Sequence, residues 1–238
     1  MPWFNQGSVT ADREVGKVLK RWLSPLLLAA AVLAAPARAA ERAIDLLDVP
    51  VSYTANFTVT GDKGTYNGKV WHAPGRERRD FDTQGGGQTV LLRRDTDSAY
   101  LIKPGGRWYV GLGFQAVGEL AGGLDQLVVE RTKLREENVA GLKATRYKVA
   151  AKGPKNSRFD GHAWFSKEDI LVRAEGVMTA PNGQQSQVET ALSSLKIGRV
   201  EERVFELPAG WLGMDLRSVP PEKIAQAVQG LMPMLNRQ

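Results

Sequence analysis

The chain has 238 residues, 32 Lys plus Arg against 26 Asp plus Glu, two histidines and no cysteine. With 42% apolar and 24% charged residues it is globular, neither disordered nor collagen-like, and its length allows one or two domains. The lack of cysteine excludes a disulfide scaffold, a Cys-type zinc site, an iron–sulfur cluster and thiol catalysis. With only His72 and His162, a three-histidine metal centre is excluded too.

The first element is a leader. Trp22 to Ala35 is a run of 14 uncharged residues, preceded by Lys17, Lys20 and Arg21 and followed by Ala37-Arg38-Ala39. Positive, apolar and small-residue zones in that order predict a secretory signal peptide cleaved near Ala39, and the apolar run is shorter than the roughly 20 residues a membrane span needs. The expected organisation is therefore residues 1–39 as signal peptide with an N-terminal extension, and residues 40–238 as a single exported, periplasmic domain. The leader holds five basic and two acidic residues, so the remaining 199 residues carry 27 basic against 24 acidic, a net of +3 instead of the whole chain's +6. Nucleic acid is not an expected partner for so mixed a surface, and no stable membrane span is expected in the mature form.

From Val51 onward short apolar alternation dominates. Val51, Tyr53, Ala55, Phe57 and Val59 share one face of a half-buried strand. Gly61-Asp62-Lys63-Gly64 turns into Tyr66–His72, and Pro74-Gly75 turns into Arg78–Thr83. Gly85-Gly86-Gly87 leads to Thr89–Arg93; it lacks a following Lys-Ser/Thr and a helix start, so it reads as a hairpin turn and not a phosphate cradle. Ala99–Lys103 and Trp108–Val110 follow. Leu112–Val129 then changes period: Phe114, Val117, Leu120, Leu124, Leu127 and Val128 recur at three and four residues, predicting one or two short helices broken at Gly122-Gly123. Strands resume over Lys133–Asn138, Lys143–Ala151, Phe159–Phe165, Leu171–Met178 and Gln187–Ile197, and Arg203–Leu207 is a further short segment. Pro220-Pro221 opens a terminal helix striped by Ile224, Ala227, Val228 and Leu231. The expected fold is mainly β, a single curved antiparallel sheet of about 10–11 strands with a central helical insertion and a C-terminal helix.

No nucleophile elbow, Walker loop, zinc-protease helix or dinucleotide fingerprint occurs, so no enzyme, cofactor or metal is expected. Two histidines nearly 90 residues apart are too few for most metal sites. Arg76, Arg78, Arg79, Arg93 and Arg94 form the densest basic region. It reads as a solvated edge interleaved with Glu77, Asp80 and Asp95, or as a rim that meets lipid headgroups or an acidic partner. The aromatic residues in or beside the strands would fill the core of a closed sandwich, or line a cavity if the sheet curves around a helix.

Tyr53-Thr54-Ala55-Asn56-Phe57, then Gly68-Lys69-Val70-Trp71 with Pro74 and Arg79, then the central helical break and the late Val204-Phe205-Glu206-Leu207-Pro208-Ala209-Gly210-Trp211 follow one another as in the periplasmic outer-membrane lipoprotein carriers, which this chain resembles. Gly141-Leu142-Lys143-Ala144-Thr145-Arg146-Tyr147 and the F-E-L-P-A-G-W string are still more similar to a family of uncharacterised exported domains of that fold. The resemblance spans about Ile44 to Trp211. It implies an unclosed β-barrel whose concave apolar face is covered by helices and binds acyl chains. The carriers place a lid-latching arginine before the proline that ends the second strand, where this chain has Ala73. The expectation is a non-catalytic periplasmic monomer that binds a lipid or acylated ligand, lined by Phe57, Val59, Tyr66, Val70, Phe81, Tyr100, Phe114, Leu124, Trp164 and Met178. The alternative is an envelope interaction or sensing module that docks a membrane-bound protein partner through the Arg76–Arg94 edge.

Overall fold

A computed structural model of the chain describes residues 41–62, 64–82, 87–114, 116–117, 126–220 and 223–224. The expected leader lies outside the described residues, as do Gly85-Gly86, Leu120, the Gly122-Gly123 break and Leu124. Alternating β-branched and aromatic residues broken by Gly, Pro and Asp build one thirteen-stranded sheet. Its strands are β1 (Glu41–Arg42), β2 (Tyr53–Gly61), β3 (Gly64–Ala73), β4 (Arg76–Phe81), β5 (Gln88–Arg93), β6 (Ser98–Lys103), β7 (Trp108–Gly113), β8 (Val128–Val139), β9 (Leu142–Lys152), β10 (Arg158–Phe165), β11 (Leu171–Thr179), β12 (Gln185–Ile197) and β13 (Leu212–Asp215). They lie in the order β1-β8-β9-β10-β11-β12-β2-β3-β4-β5-β6-β7-β13, so two consecutive meanders are joined where β12 pairs with β2, and the sheet does not close on itself.

Two expectations are corrected. Among the described residues thirteen strands replace ten or eleven, and one pairing is parallel, β13 beside β7. The helical insertion is also narrower than Leu112–Val129: Leu112 and Gly113 complete β7, Val128 and Val129 open β8, and Phe114, Ala116 and Val117 are the helical residues described between them. Glycines at 111 and 113 hide the alternation of Val110 with Leu112. At the other end the pair Leu127-Val128 mimics helical spacing, yet the chain buries Leu127 and Val129 and leaves Val128 38% exposed, a period of two. The short segment Arg203–Leu207 contributes to a 3-10 turn, Glu202–Phe205. Of the expected terminal helix, Lys223 and Ile224 are helical and the rest lies outside the described residues. Among the described residues no helix reaches seven residues.

Residues paired across strands share a face, so the registers define what the sheet presents. One row of the front face runs Ala55–Val70–Arg79–Val90–Leu101–Val110–Met214. A second runs Tyr53–His72–Glu77–Leu92–Ala99–Leu112. Across the join, Val59 continues through Thr190, Ala174 and Ala163 to Tyr147. The main core lies on this face, with a second cluster, including Val149, Phe159 and Phe165, over β8–β11.

The back face of β3–β7 is covered differently. After β12 the chain crosses it through Val200, Val204, Phe205, Leu207 and Trp211, which pack on Trp71, Ala73, Leu91, Tyr100, Ile102 and Tyr109. This crossing carries the F-E-L-P-A-G-W string, and its purpose in the fold is to deliver β13 parallel to β7.

Candidate functional site

Strand β4 reads Arg-Glu-Arg-Arg-Asp-Phe, and alternation divides its charges between the two faces. Arg76, Arg78 and Asp80 point to the back, where they hold the crossing chain. Arg76 binds Glu202 and its guanidinium lies 5.2 Å from the Phe205 ring. Arg78 donates to Asp80 at 2.8 Å and to the Val204 carbonyl at 3.2 Å. Arg93 pairs with Asp95 at 2.8 Å and donates to the Phe205 carbonyl at 3.4 Å. Arg94 sits 5.7 Å over the Phe114 ring. Three of the five arginines read as a rim are therefore engaged in fastening the back-face crossing.

Arg79 faces the front together with Glu77 and Phe81. Its Nε donates to Glu77 Oε1 at 2.7 Å, and the two side chains keep 9% and 10% of their exposure. Burial alone would push the Glu77 carboxyl up, but Arg79 and then His72 overcome it and hold the group at about 2. Burial also works against the Arg79 charge, and Glu77 restores it, so the guanidinium is held above its ordinary value. Tyr53 is pushed well above the ordinary tyrosine range, first by burial and then by the Glu77 charge. The Tyr53 ring stacks on His72 at 5.0 Å.

The covering of this face comes from segments outside the strands. His72 Nε2 lies 3.0 Å from the Val49 carbonyl, and the Gly75 N–H donates to Asp48 at 2.6 Å, so the segment before β2 is pinned to the hairpin β3–β4. His72 Nδ1 lies 3.6 Å from Glu77 and is a buried nitrogen without a hydrogen bond. Ala116, Val117, Leu216 and Ile224 are buried against the same apolar layer as Phe57, Val59 and Val70. A cavity of about 20 Å³ remains beneath the cover, bounded by Leu46, Val49, Tyr53, Ile170 and Leu192 and by Glu77 and Arg79. That is room for about one water.

Of the ten lining residues read from the sequence, Phe57, Val59, Tyr66, Val70, Phe81 and Phe114 come together in the front-face core. Met178 packs against the second front-face cluster. Tyr100 and Trp164 take the other side, because they alternate with Ala99 and Leu101 and with Ala163 and Phe165. Trp164 lies between the Arg146 and Arg173 guanidiniums, 5.0 and 5.1 Å from its ring, and donates its indole N–H to Glu137 at 2.9 Å. Sequence reasoning misses Glu77, His72 and Tyr53 as front-face partners of Arg79. The tight Pro74-Gly75 turn is the signal that could find them, since it sets His72 opposite Glu77. Among the described residues no group of three or more His, Asp or Glu could hold a metal ion.

No protein-family model matches this chain, and no curated protein does. Solved structures do. An uncharacterized conserved protein from Thermus thermophilus matches with a TM-score of 0.49 and 11% identity, over 74% of this chain and 99% of that one. MucB of Pseudomonas aeruginosa, in its complex with MucA, matches at 0.42 and 13%, over 81% of this chain and 62% of that one, so this chain spans less than two thirds of MucB. A putative outer membrane lipoprotein-sorting protein domain from Vibrio parahaemolyticus matches at 0.23 and 10%, over 66% and 89%. None of these likenesses assigns this chain to a family. At these identities the likeness concerns the sheet and assigns neither ligand nor partner.

Proposed function

We propose that this chain is a non-catalytic, exported carrier-like protein that holds a lipid acyl chain against the front face of its sheet. One observation carries the reading. The apolar layer of Phe57, Val59, Val70 and Phe81 is covered in part by pieces that belong to no strand, namely the residues around Val49, Ala116–Val117 and Ile224. Such pieces can separate from the layer without breaking a ladder hydrogen bond. The cavity of about 20 Å³ is far too small for an acyl chain as it stands, so binding requires the cover to move aside. Burial of a chain of about 14–16 carbons releases on the order of 10 kcal/mol at about 0.8 per methylene, before association costs.

Native mass spectrometry of the protein recovered from periplasm tests this. A mass increment that extracts into organic solvent as an acyl lipid is expected. A ligand-free mass, together with no uptake of a fluorescent acyl lipid by the delipidated protein, refutes it.

A further inference from the structure

The Glu77–Arg79 pair stands out on the front face because the rows around it are apolar. Its neighbours across the strands are Val70 and Val90 for Arg79, and His72 and Leu92 for Glu77. Arg79 Nε is satisfied by Glu77, yet among the described residues neither Nη group has an acceptor. A guanidinium with only 9% of its side chain exposed and N–H groups left open calls for acceptor oxygens. Arg79 lines the cavity beside Leu46, Val49 and Leu192.

Glu77 decides which acceptor fits. It is ionised and supplies the single negative charge that balances Arg79. A ligand carboxylate arriving at the Nη side would place a second, uncompensated negative charge in a desolvated site. A carbonyl oxygen accepts the same N–H groups and leaves the pair neutral. His72 offers no alternative donor, since its Nε2 is taken by the Val49 carbonyl and its Nδ1 faces Glu77.

We infer that Arg79 is the specificity-determining residue of the front-face site: its Nη groups hold the carbonyl oxygen of an acyl ester or amide, and Glu77 turns away the free fatty acid. This rests on the acyl-binding reading above. It places the polar end of the ligand beneath the segment before β2 and runs the chain along the Phe57–Val59–Val70 layer.

The test is displacement of a bound fluorescent probe, 1-anilinonaphthalene, from the delipidated mature protein by methyl laurate, laurate and dodecane. Methyl laurate is expected to displace the probe at a concentration at least about tenfold below either of the others, the factor expected of one hydrogen bond to a charged group. In the double variant Glu77→Leu/Arg79→Leu, which leaves no buried charge unpaired, the advantage of the ester over dodecane is expected to vanish. Laurate displacing better than its ester overturns the proposal, because the site then takes anions. Equal displacement by ester and alkane also overturns it, because the open N–H groups then meet water only. Failure of all three compounds to displace the probe, with a ligand-free native mass, is a different result: it removes the acyl-binding reading itself.

Discussion

Replacing Arg79 by Leu isolates the contribution of the buried ion pair. The substitution leaves the Glu77 carboxylate 8% exposed with its guanidinium partner gone, a situation that costs about 3–5 kcal/mol when one member of a buried pair is removed. The net shift of Glu77, set by burial against Arg79 and His72 together, is of the same size: moving the carboxyl from 4.5 to about 2 corresponds to about 3 kcal/mol. Because the folded value is depressed, this contribution is complete above the unfolded value and is lost as pH falls from about 5 towards 2. The wild type is therefore expected to lose about 3 kcal/mol over that window in urea melts followed by tryptophan fluorescence, while Glu77→Gln loses less. The double variant Glu77→Leu/Arg79→Leu is expected to recover most of the single-variant loss, since two apolar side chains suit a layer made of Val70, Val90 and Leu92. A loss below about 1 kcal/mol for Arg79→Leu, or strictly additive single and double variants, would refute the account of the pair as mutually dependent.

Three further outcomes follow from the same structure. Gly68→Ala is expected to destabilise by about 2–3 kcal/mol in the same melts, because an added Cβ would meet the Asp80 carbonyl oxygen at 2.0 Å and the Phe57 ring at 2.7 Å; an unchanged midpoint contradicts it. Ala140→Asn is expected to raise stability by about 0.5 kcal/mol, since Ala140 at φ 50 and Gly141 at φ 81 form the two-residue turn between β8 and β9 that prefers Asn-Gly. Phe205→Ala is expected to cost about 3–5 kcal/mol, because its ring is 1% exposed beneath Arg76. Hydrogen exchange should then accelerate first at Leu212–Asp215, and uniform acceleration across the sheet would argue against Phe205 as the fastener of β13.

The sequence alone determined the class of this fold. Period-two alternation from Tyr53 to Ile197, punctuated by Pro74-Gly75, Pro104-Gly105 and Asn182-Gly183, admits little besides antiparallel hairpins, because both the side-chain period and the turn chemistry are local. Six of the ten residues it proposed as cavity lining lie in the front-face core. What it could not decide was which side of the sheet each alternating set faces and what covers it. Tyr100 and Trp164 are as apolar as Phe57, but each lies one residue out of phase with the front-face rows. Only the register of neighbouring strands fixes that phase. The arginines show the same limit. Read along the chain, Arg76, Arg78, Arg79, Arg93 and Arg94 form one basic patch; folded, alternation sends Arg79 into the core beside Glu77, and Arg94 lies over the Phe114 ring. Arg76, Arg78 and Arg93 remain on the back, where Glu202 and the carbonyls of Val204 and Phe205 arrive from more than a hundred residues away. Charge density is a property of sequence, whereas pairing depends on long-range contacts that only the tertiary structure supplies.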